Sequence, residues 1–158
     1  MEYKNAATYW IAALFVIGNI ALPQLCHLVP SGGPMLLPIY FFTLVAAYKY
    51  GWKVGVLTAV ASPLVNSALF AMPAPAVLPA ILTKSLLLAA AAGFAARKFR
   101  RVSLLLLLGV VLFYQVIGSA AEWGLTGSLA AALQDFRIGI PGMLLQILGG
   151  YLFIKYLK

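Results

Sequence analysis

Long apolar runs with almost no charge constrain this chain more than any other feature of its sequence. The stretch "LLLLLGVVLFYQVIGSAA" at 104–121 carries no charged residue, and similar runs recur along the chain. Hydrophobic residues occupy 64% of the 158 positions and charged residues only 9%, whereas soluble domains are about 45 to 50% apolar. This composition predicts an integral membrane protein with no separate soluble domain.

Short stretches rich in charged residues, glycine or proline divide the chain into six apolar segments. The segments are apolar throughout, whereas barrel strands would alternate, and helices satisfy their own backbone groups inside lipid. The first run is too long for a signal-peptide core, so we expect it to be retained as a span. The sequence therefore predicts an all-α fold, one six-transmembrane-helix bundle over residues 1–158, with spans at about 6–28, 35–48, 52–71, 76–96, 103–124 and 138–156.

The positive charges determine the predicted orientation, because lysine and arginine are retained on the cytoplasmic side of a membrane. One set of connections and termini holds nine of them: Lys4, Lys49, Lys53, Arg97, Lys98, Arg100, Arg101, Lys155 and Lys158. The opposite connections hold only Arg137. Both termini are therefore predicted to be cytoplasmic, in a multi-pass protein of the inner (cytoplasmic) membrane that contacts anionic lipid. The basic stretch "RKFRR" is too short to predict a nucleic-acid partner.

Lys84 interrupts the fourth predicted span, which is otherwise apolar or small. Because that span runs inward from about residue 76, a rise of about 1.5 Å per residue places Lys84 roughly 12 Å below the outer end. The side chain is too short to reach the outer head groups, and a charge facing lipid costs about 2.5 to 3.5 kcal/mol or more. We expect Lys84 to face a cavity or to meet a partner, and Glu122 near the outer end of span five is the best candidate.

Other polar side chains also fall in the predicted outer half of the bundle. Gln115 shares a helical face with Glu122, and Asn19 shares a face of span one with His27. Asn66 lies in the outer half of span three. Polar groups from four helices predict an outward-opening pocket. The candidate substrate-binding residues are Lys84, Glu122, Asn66, Gln115, Asn19, Trp123, His27 and Arg137.

Each candidate also has a structural interpretation. Lys84 and Glu122 can form an ion pair that only stabilises the bundle, although ionisable groups at membrane depth indicate function by default. At the outer boundary, His27 can be solvated and Trp123 can belong to an interfacial belt. Arg137 with Asp135 is predicted to cap the start of span six. Hydrogen bonding between helices is the favoured interpretation for Thr58, Ser62 and Gln146. For Asn66 and Gln115, hydrogen bonding between helices and ligand binding stand as equal interpretations.

Catalytic and metal-binding residues are sparse. The chain has one histidine and three acidic residues, and it lacks H-E-x-x-H, G-x-S-x-G and phosphate-binding glycine motifs. The single cysteine, Cys26, excludes an internal disulfide and a thiolate metal cluster. No enzymatic activity, cofactor or metal site is therefore expected.

Two stretches carry a resemblance to a known family. A brief first outer loop, "VPSGGPMLLP", is followed by "AYKYGWKVGVLTAVASPLVNSALF", which enters a helix rich in small residues. With the six-helix architecture, they resemble the substrate-binding S components of energy-coupling factor (ECF) vitamin transporters. The resemblance implies an outer micronutrient pocket and assembly with a transmembrane coupling subunit and two ATPase subunits. One feature departs from the family, because Val16 and Ile17 replace the second alanine of an A-x-x-x-A docking ridge on the first helix.

The predicted function is capture of an organic micronutrient from outside, with inward transfer when ATP-driven partners are coupled. One cation, three amides, one carboxylate and one aromatic ring suit a compact heterocycle with polar substituents, organic anions included. A water-soluble vitamin or a related precursor is the expected ligand. Two alternatives stand beside this prediction. One is a membrane scaffold resembling the MreD cell-shape component, and the other is a lipid-modifying enzyme, for which the acid-base groups are too few.

Overall fold

The computed structural model describes residues 5–157, which are largely helical and contain no β-strand. The all-α prediction is therefore confirmed. A 3-10 turn at Pro38–Tyr40 precedes α3, and a π-helical turn at Leu145–Gly149 joins α9 to α10. The helices are α1 (Ala6–Cys26), α2 (Gly32–Leu36), α3 (Phe41–Tyr50), α4 (Trp52–Phe70), α5 (Leu78–Phe99), α6 (Leu104–Thr126), α7 (Leu129–Ala132), α8 (Gln134–Ile138), α9 (Ile140–Leu144) and α10 (Gly150–Tyr156).

Four of these helices, α1, α4, α5 and α6, are long and apolar enough to cross a membrane. They indicate a multi-pass membrane protein. The other two predicted spans are shorter in the structure. Span 35–48 becomes the 3-10 turn and the ten-residue α3, and span 138–156 becomes the shorter apolar helix Ile140–Tyr156 with its π-helical turn. The six-span topology with cytoplasmic termini stays a prediction.

The short helix α3 lies inside the bundle, against α1, α4 and α5. Its consecutive residues Leu44, Val45, Ala46 and Ala47 are fully inaccessible to solvent. Because consecutive residues point to different sides of a helix, α3 is enclosed all round. The helix ends at Gly51, whose φ of 98° lies in the region that favours glycine.

Small residues on α4 and α5 allow helices to approach closely inside the chain. Gly55, Ala59 and Pro63 follow at steps of four along α4, and all three are buried. A Cβ added to Gly55 would collide with Ala47 of α3, and one added to Gly93 of α5 would lie 2.6 Å from the Trp52 Cβ. At Gly55 and Gly93, these small residues therefore serve packing inside the chain.

The outward faces of the long helices are apolar. On α1, Trp10, Leu14 and Ile17 are 75, 67 and 61% exposed, and their spacing places them on one helical face. Large contiguous apolar surfaces of this kind are rare on soluble monomers. In a bilayer they are the surface that lipid covers.

The connection from α6 to α9 is folded, although the sequence predicted only an outer loop. Helix α6 begins after Ser103, whose hydroxyl accepts a hydrogen bond from the Leu106 amide at 3.2 Å, and it ends at Gly127, whose φ is 67°. Ser128 then caps α7 by accepting from the Ala131 amide at 3.2 Å. Helix α8 follows and contacts α2. This path brings residues of the connection against the end of the bundle.

Candidate functional site

A buried cluster of three charged residues lies at one end of the bundle. The Lys84 Nζ atom is 2.6 Å from Glu122 Oε2 and 2.8 Å from Asp135 Oδ2. The lysine side chain is 4% exposed and the two acids are 12 and 11% exposed. The ammonium donates a hydrogen bond to Asp135. We call these three residues the charge triad.

Three helices bring the charge triad together. Lys84 lies in the first half of α5, Glu122 in the last two turns of α6, and Asp135 in α8, while α5 and α6 pack side by side. Gly118 lies one turn before Glu122 on α6, and a Cβ there would be 2.5 Å from Lys84 Cγ. The glycine therefore gives the lysine side chain the space it needs to run along α6 toward Glu122.

A cavity of about 300 Å³ is lined by all three residues of the charge triad. Its volume is at the lower end of the range for small-molecule sites. The remaining wall is mostly apolar and comes from the end of α1, the segment around α2 and the 3-10 turn, the connection between α4 and α5, the start of α5, and α7 and α8. Helices α1 and α6 end here and α5 begins here, so this is the outer end in the predicted orientation.

The structure places three of the predicted site residues in the cavity wall: Lys84, Glu122 and His27. The predicted partnership of Lys84 with Glu122 is confirmed by their ion pair. His27 is exposed as a residue, and its ring packs close to Gly33, where an added Cβ would lie 2.5 Å from His27 Cε1. The ion pair of Lys84 with Glu122 and a space large enough for a ligand therefore lie at the same end of the bundle.

Asp135 is the site residue that the sequence analysis missed. It was predicted to cap the sixth span with Arg137, and this assignment is wrong, because its carboxylate meets Lys84 while Arg137 is exposed. The reason is tertiary, since α7 and α8 fold the connection back onto the start of α5. The available signal was the shortage of acids, because only three occur in the chain and a buried lysine needs a counter-charge.

Asn19 and Asn66 belong to a buried hydrogen-bond network and do not line the cavity. The Asn19 amide nitrogen donates to Thr43 Oγ1 at 3.0 Å and to Ser62 Oγ at 3.1 Å, and its oxygen accepts from the Phe42 amide at 3.1 Å. The Asn66 side-chain nitrogen donates to the main-chain carbonyl oxygen of Asn19 at 2.8 Å. These bonds join α1, α3 and α4, so the structure supports the interhelical interpretation for Asn66 and confirms it for Ser62.

Gln115 belongs to a second network, which also lies outside the cavity wall. Its amide nitrogen donates to Tyr114 Oη at 3.0 Å, and the Tyr114 hydroxyl donates to Gln146 Oε1 at 2.8 Å. The interhelical interpretation of Gln146 is therefore confirmed. Tyr114 packs against Tyr40 with ring centroids 5.4 Å apart, and Tyr40 lines the cavity. The network thus lies one aromatic ring behind the cavity.

Three further predicted features lie outside the cavity. Trp123 is 52% exposed and Arg137 is also exposed, and neither lines the cavity. An exposed tryptophan near a helix end fits the interfacial belt. Thr58 donates to the Val54 carbonyl within its own helix at 2.9 Å, so its hydrogen bond is not interhelical. Over residues 5–157, no group of three or more His, Cys, Asp or Glu side chains is placed to hold a metal ion.

Comparisons of the chain with protein-family models, curated proteins and solved structures give no match. The fold and the site themselves indicate the class: an all-α, multi-pass membrane protein with a charged cavity at one end of its bundle.

Proposed function

We propose that this protein is the substrate-capture (S) subunit of an ECF-type importer and binds a water-soluble vitamin or related micronutrient from outside the cytoplasmic membrane. The observation that carries the proposal is the cavity of about 300 Å³ lined by Lys84, Glu122 and Asp135. Apolar walls with a few convergent polar groups are typical of small-molecule sites. Charged side chains at membrane depth indicate function more often than structure.

The position of the cavity supports capture from outside. The basic residues at the end of α5, Arg97 and Lys98, lie more than two turns from Lys84 toward the opposite end of the bundle. Under the positive-inside rule that basic end is cytoplasmic. The cavity therefore faces the side from which a nutrient arrives.

The partners form part of the same proposal. Inward transfer would rely on a transmembrane coupling subunit and on ATPase subunits. On α1, Ala13 and Ala21 are exposed, whereas Gly18 faces inward, since a Cβ there would lie 2.8 Å from the Phe42 ring. Ala6, Ala13 and Ala21 are thus the small residues of α1 that are exposed and remain accessible to a coupling subunit.

Ligand-dependent thermal stabilisation tests the proposed function. The protein is purified in mild detergent and heated with each member of a panel of water-soluble vitamins and precursors. A ligand present at one hundred times its dissociation constant stabilises the folded state by about 2.7 kcal/mol. Native mass spectrometry of the gently purified protein searches in parallel for a retained small molecule. A scaffold protein resembling MreD would show neither effect.

A pair of alanine variants locates the binding site. Ala80 lines the cavity and is 4% exposed, so Ala80→Leu should fill part of the space and abolish the ligand-dependent shift. Ala13→Leu adds the same atoms on an exposed face of α1 and should preserve it. If the ligand stabilised Ala80→Leu as strongly as the parent protein, the cavity would not be the site.

A further inference from the structure

The charge triad is not neutral. Lys84 supplies one positive formal charge, while Glu122 and Asp135 supply two negative ones. Among the described residues that line the cavity, Lys84 is the only lysine or arginine. Arg137 is near Asp135 in sequence, but it is exposed, and solvent and salt screen its charge. With His27 neutral, the cavity wall carries an excess of one negative charge.

The geometry of the charge triad favours a cationic ligand over an anionic one. Each acid contacts the ammonium through one oxygen, Glu122 Oε2 or Asp135 Oδ2, and a carboxylate offers two oxygens with about four acceptor sites. The two acids can therefore accept hydrogen bonds from a second positive group. The Lys84 ammonium is already engaged by both acids, and a bound anion would have to displace at least one of them. An uncompensated buried charge is also costly, so a ligand cation would relieve it.

The rest of the wall suits an organic cation better than a metal ion. Tyr40 contributes an aromatic ring, and Leu37, Ile81 and Met72 contribute apolar surface. Organic cations are attracted to aromatic faces, and their apolar parts gain from burial. A hard divalent metal takes about six or more oxygen ligands, whereas the triad offers two carboxylates with an ammonium directly beside them. The cavity volume of about 300 Å³ limits the ligand to a compact molecule.

We infer that the cavity selects a compact organic cation, such as a protonated amine or a positively charged nitrogen heterocycle. Glu122 and Asp135 neutralise the ligand's charge, and Tyr40 with the apolar wall holds its uncharged part. This inference rests on the proposed capture function and specifies the ligand class for the same site. It narrows the expectation from sequence, which included organic anions, because Asp135 supplies a second carboxylate.

Titration calorimetry of the full-length protein in detergent tests the charge preference. The probes are thiamine and choline as cations, nicotinamide and riboflavin as uncharged compounds, and nicotinate, pantothenate and biotin as anions. We expect binding of a cation, at least tenfold tighter than that of any uncharged or anionic compound. Preferential binding of an uncharged or anionic compound would overturn this inference and leave the capture function standing. A lack of response to every probe would contradict both.

Charge variants test which side chains hold the bound cation. Asp135→Asn and Glu122→Gln each remove the excess negative charge, so each should weaken cation binding at least tenfold. Lys84→Met increases the excess negative charge, so the folded fraction of this variant should bind the cation as tightly as the parent protein or more tightly. At a site for anions, the acid variants would bind the ligand more tightly and Lys84→Met would bind it less tightly. Arg97→Gln is the control, because it changes one charge at an exposed position of the same helix, α5, and should leave affinity within about twofold. Unchanged affinity in both acid variants would refute the inference.

Discussion

Replacing Gly118 by alanine should displace Lys84 and destabilise the protein. The added Cβ would lie 2.5 Å from Lys84 Cγ and 3.4 Å from its Cδ and Cε. Because Cγ is near the backbone, the lysine cannot avoid this contact by moving only the end of its side chain. Overpacking costs about 1 to 3 kcal/mol, and a buried ion pair broken on one side costs about 3 to 5 kcal/mol. A gain of about 1 kcal/mol in helix propensity opposes these losses. We expect a net loss of at least about 2 kcal/mol.

Gly109→Ala on the same helix is the matched control, because nothing lies within 4 Å of a Cβ added there. It should gain up to about 1 kcal/mol from helix propensity alone. Thermal unfolding in detergent, followed by circular dichroism, measures both variants. At about 2 to 4 °C per kcal/mol for a chain of this size, the two melting temperatures should differ by about 6 to 12 °C. Equal melting temperatures would refute the close passage of Lys84 over Gly118.

Three further predictions concern the triad, the orientation and the buried amide network. Lys84→Met should lower the free energy of unfolding by about 3 to 5 kcal/mol in denaturant titrations, because the buried Asp135 and the largely buried Glu122 lose their counter-charge; a change below about 1 kcal/mol would contradict the ion pairs of the triad. In a background with Cys26 replaced, a cysteine introduced at Ser31 should react with a membrane-impermeant thiol reagent added from outside, and a cysteine at Phe99 should not react. The reverse labelling pattern would contradict the predicted orientation. Asn19→Leu should cost about 1 to 3 kcal/mol for each partner left unpaired, and a melting temperature equal to that of the parent would argue against the network.

The partnership of Lys84 with Glu122 was predictable because it depends on simple geometry. The rise per residue of a helix sets the depth of Lys84, and the alternating direction of successive spans places the end of α6 beside the start of α5. Local sequence also explains the helix ends at Ser103 and Gly127, which have a capping side chain and a positive φ. These features follow from residue type and spacing, without knowledge of the tertiary fold.

The position of Asp135 was not predictable in the same way. It lies in a connection whose path depends on how α2, α7 and α8 pack, and no periodic pattern encodes that path. Asn19 shows the complementary limit. Helical periodicity predicted that it faces the bundle interior, but only the structure shows α3 beside it, with Thr43 accepting a hydrogen bond from its side chain. A spacing pattern identifies the buried face of a helix and not the element that covers it.

The predicted second span shows why helix length was misjudged. Hydropathy joined residues 35–48 into one segment, but Leu37 has a φ of 48°, and Pro38 directly after it starts a new turn. The residue before a proline is disfavoured in the α conformation, so the helix cannot run through this point. Helix α3 therefore starts late and stays short, and the segment before it is free to line the cavity through Pro34 and Leu37.

The buried polar groups of this protein are satisfied to different degrees, both away from the cavity and in its wall. Away from the cavity, the Asn19 side chain uses both amide hydrogens and its oxygen in hydrogen bonds, whereas Asn66 Oδ1 in the same network has no partner among the described residues. One ring behind the cavity, Gln115 Oε1 and Gln146 Nε2 have no partner among the described residues. In the cavity wall, the charge triad holds an excess negative charge. Folding alone would favour full pairing at every buried site. The excess negative charge beside a ligand-sized space is therefore better explained by a bound molecule that supplies positive charge than by packing of the bundle.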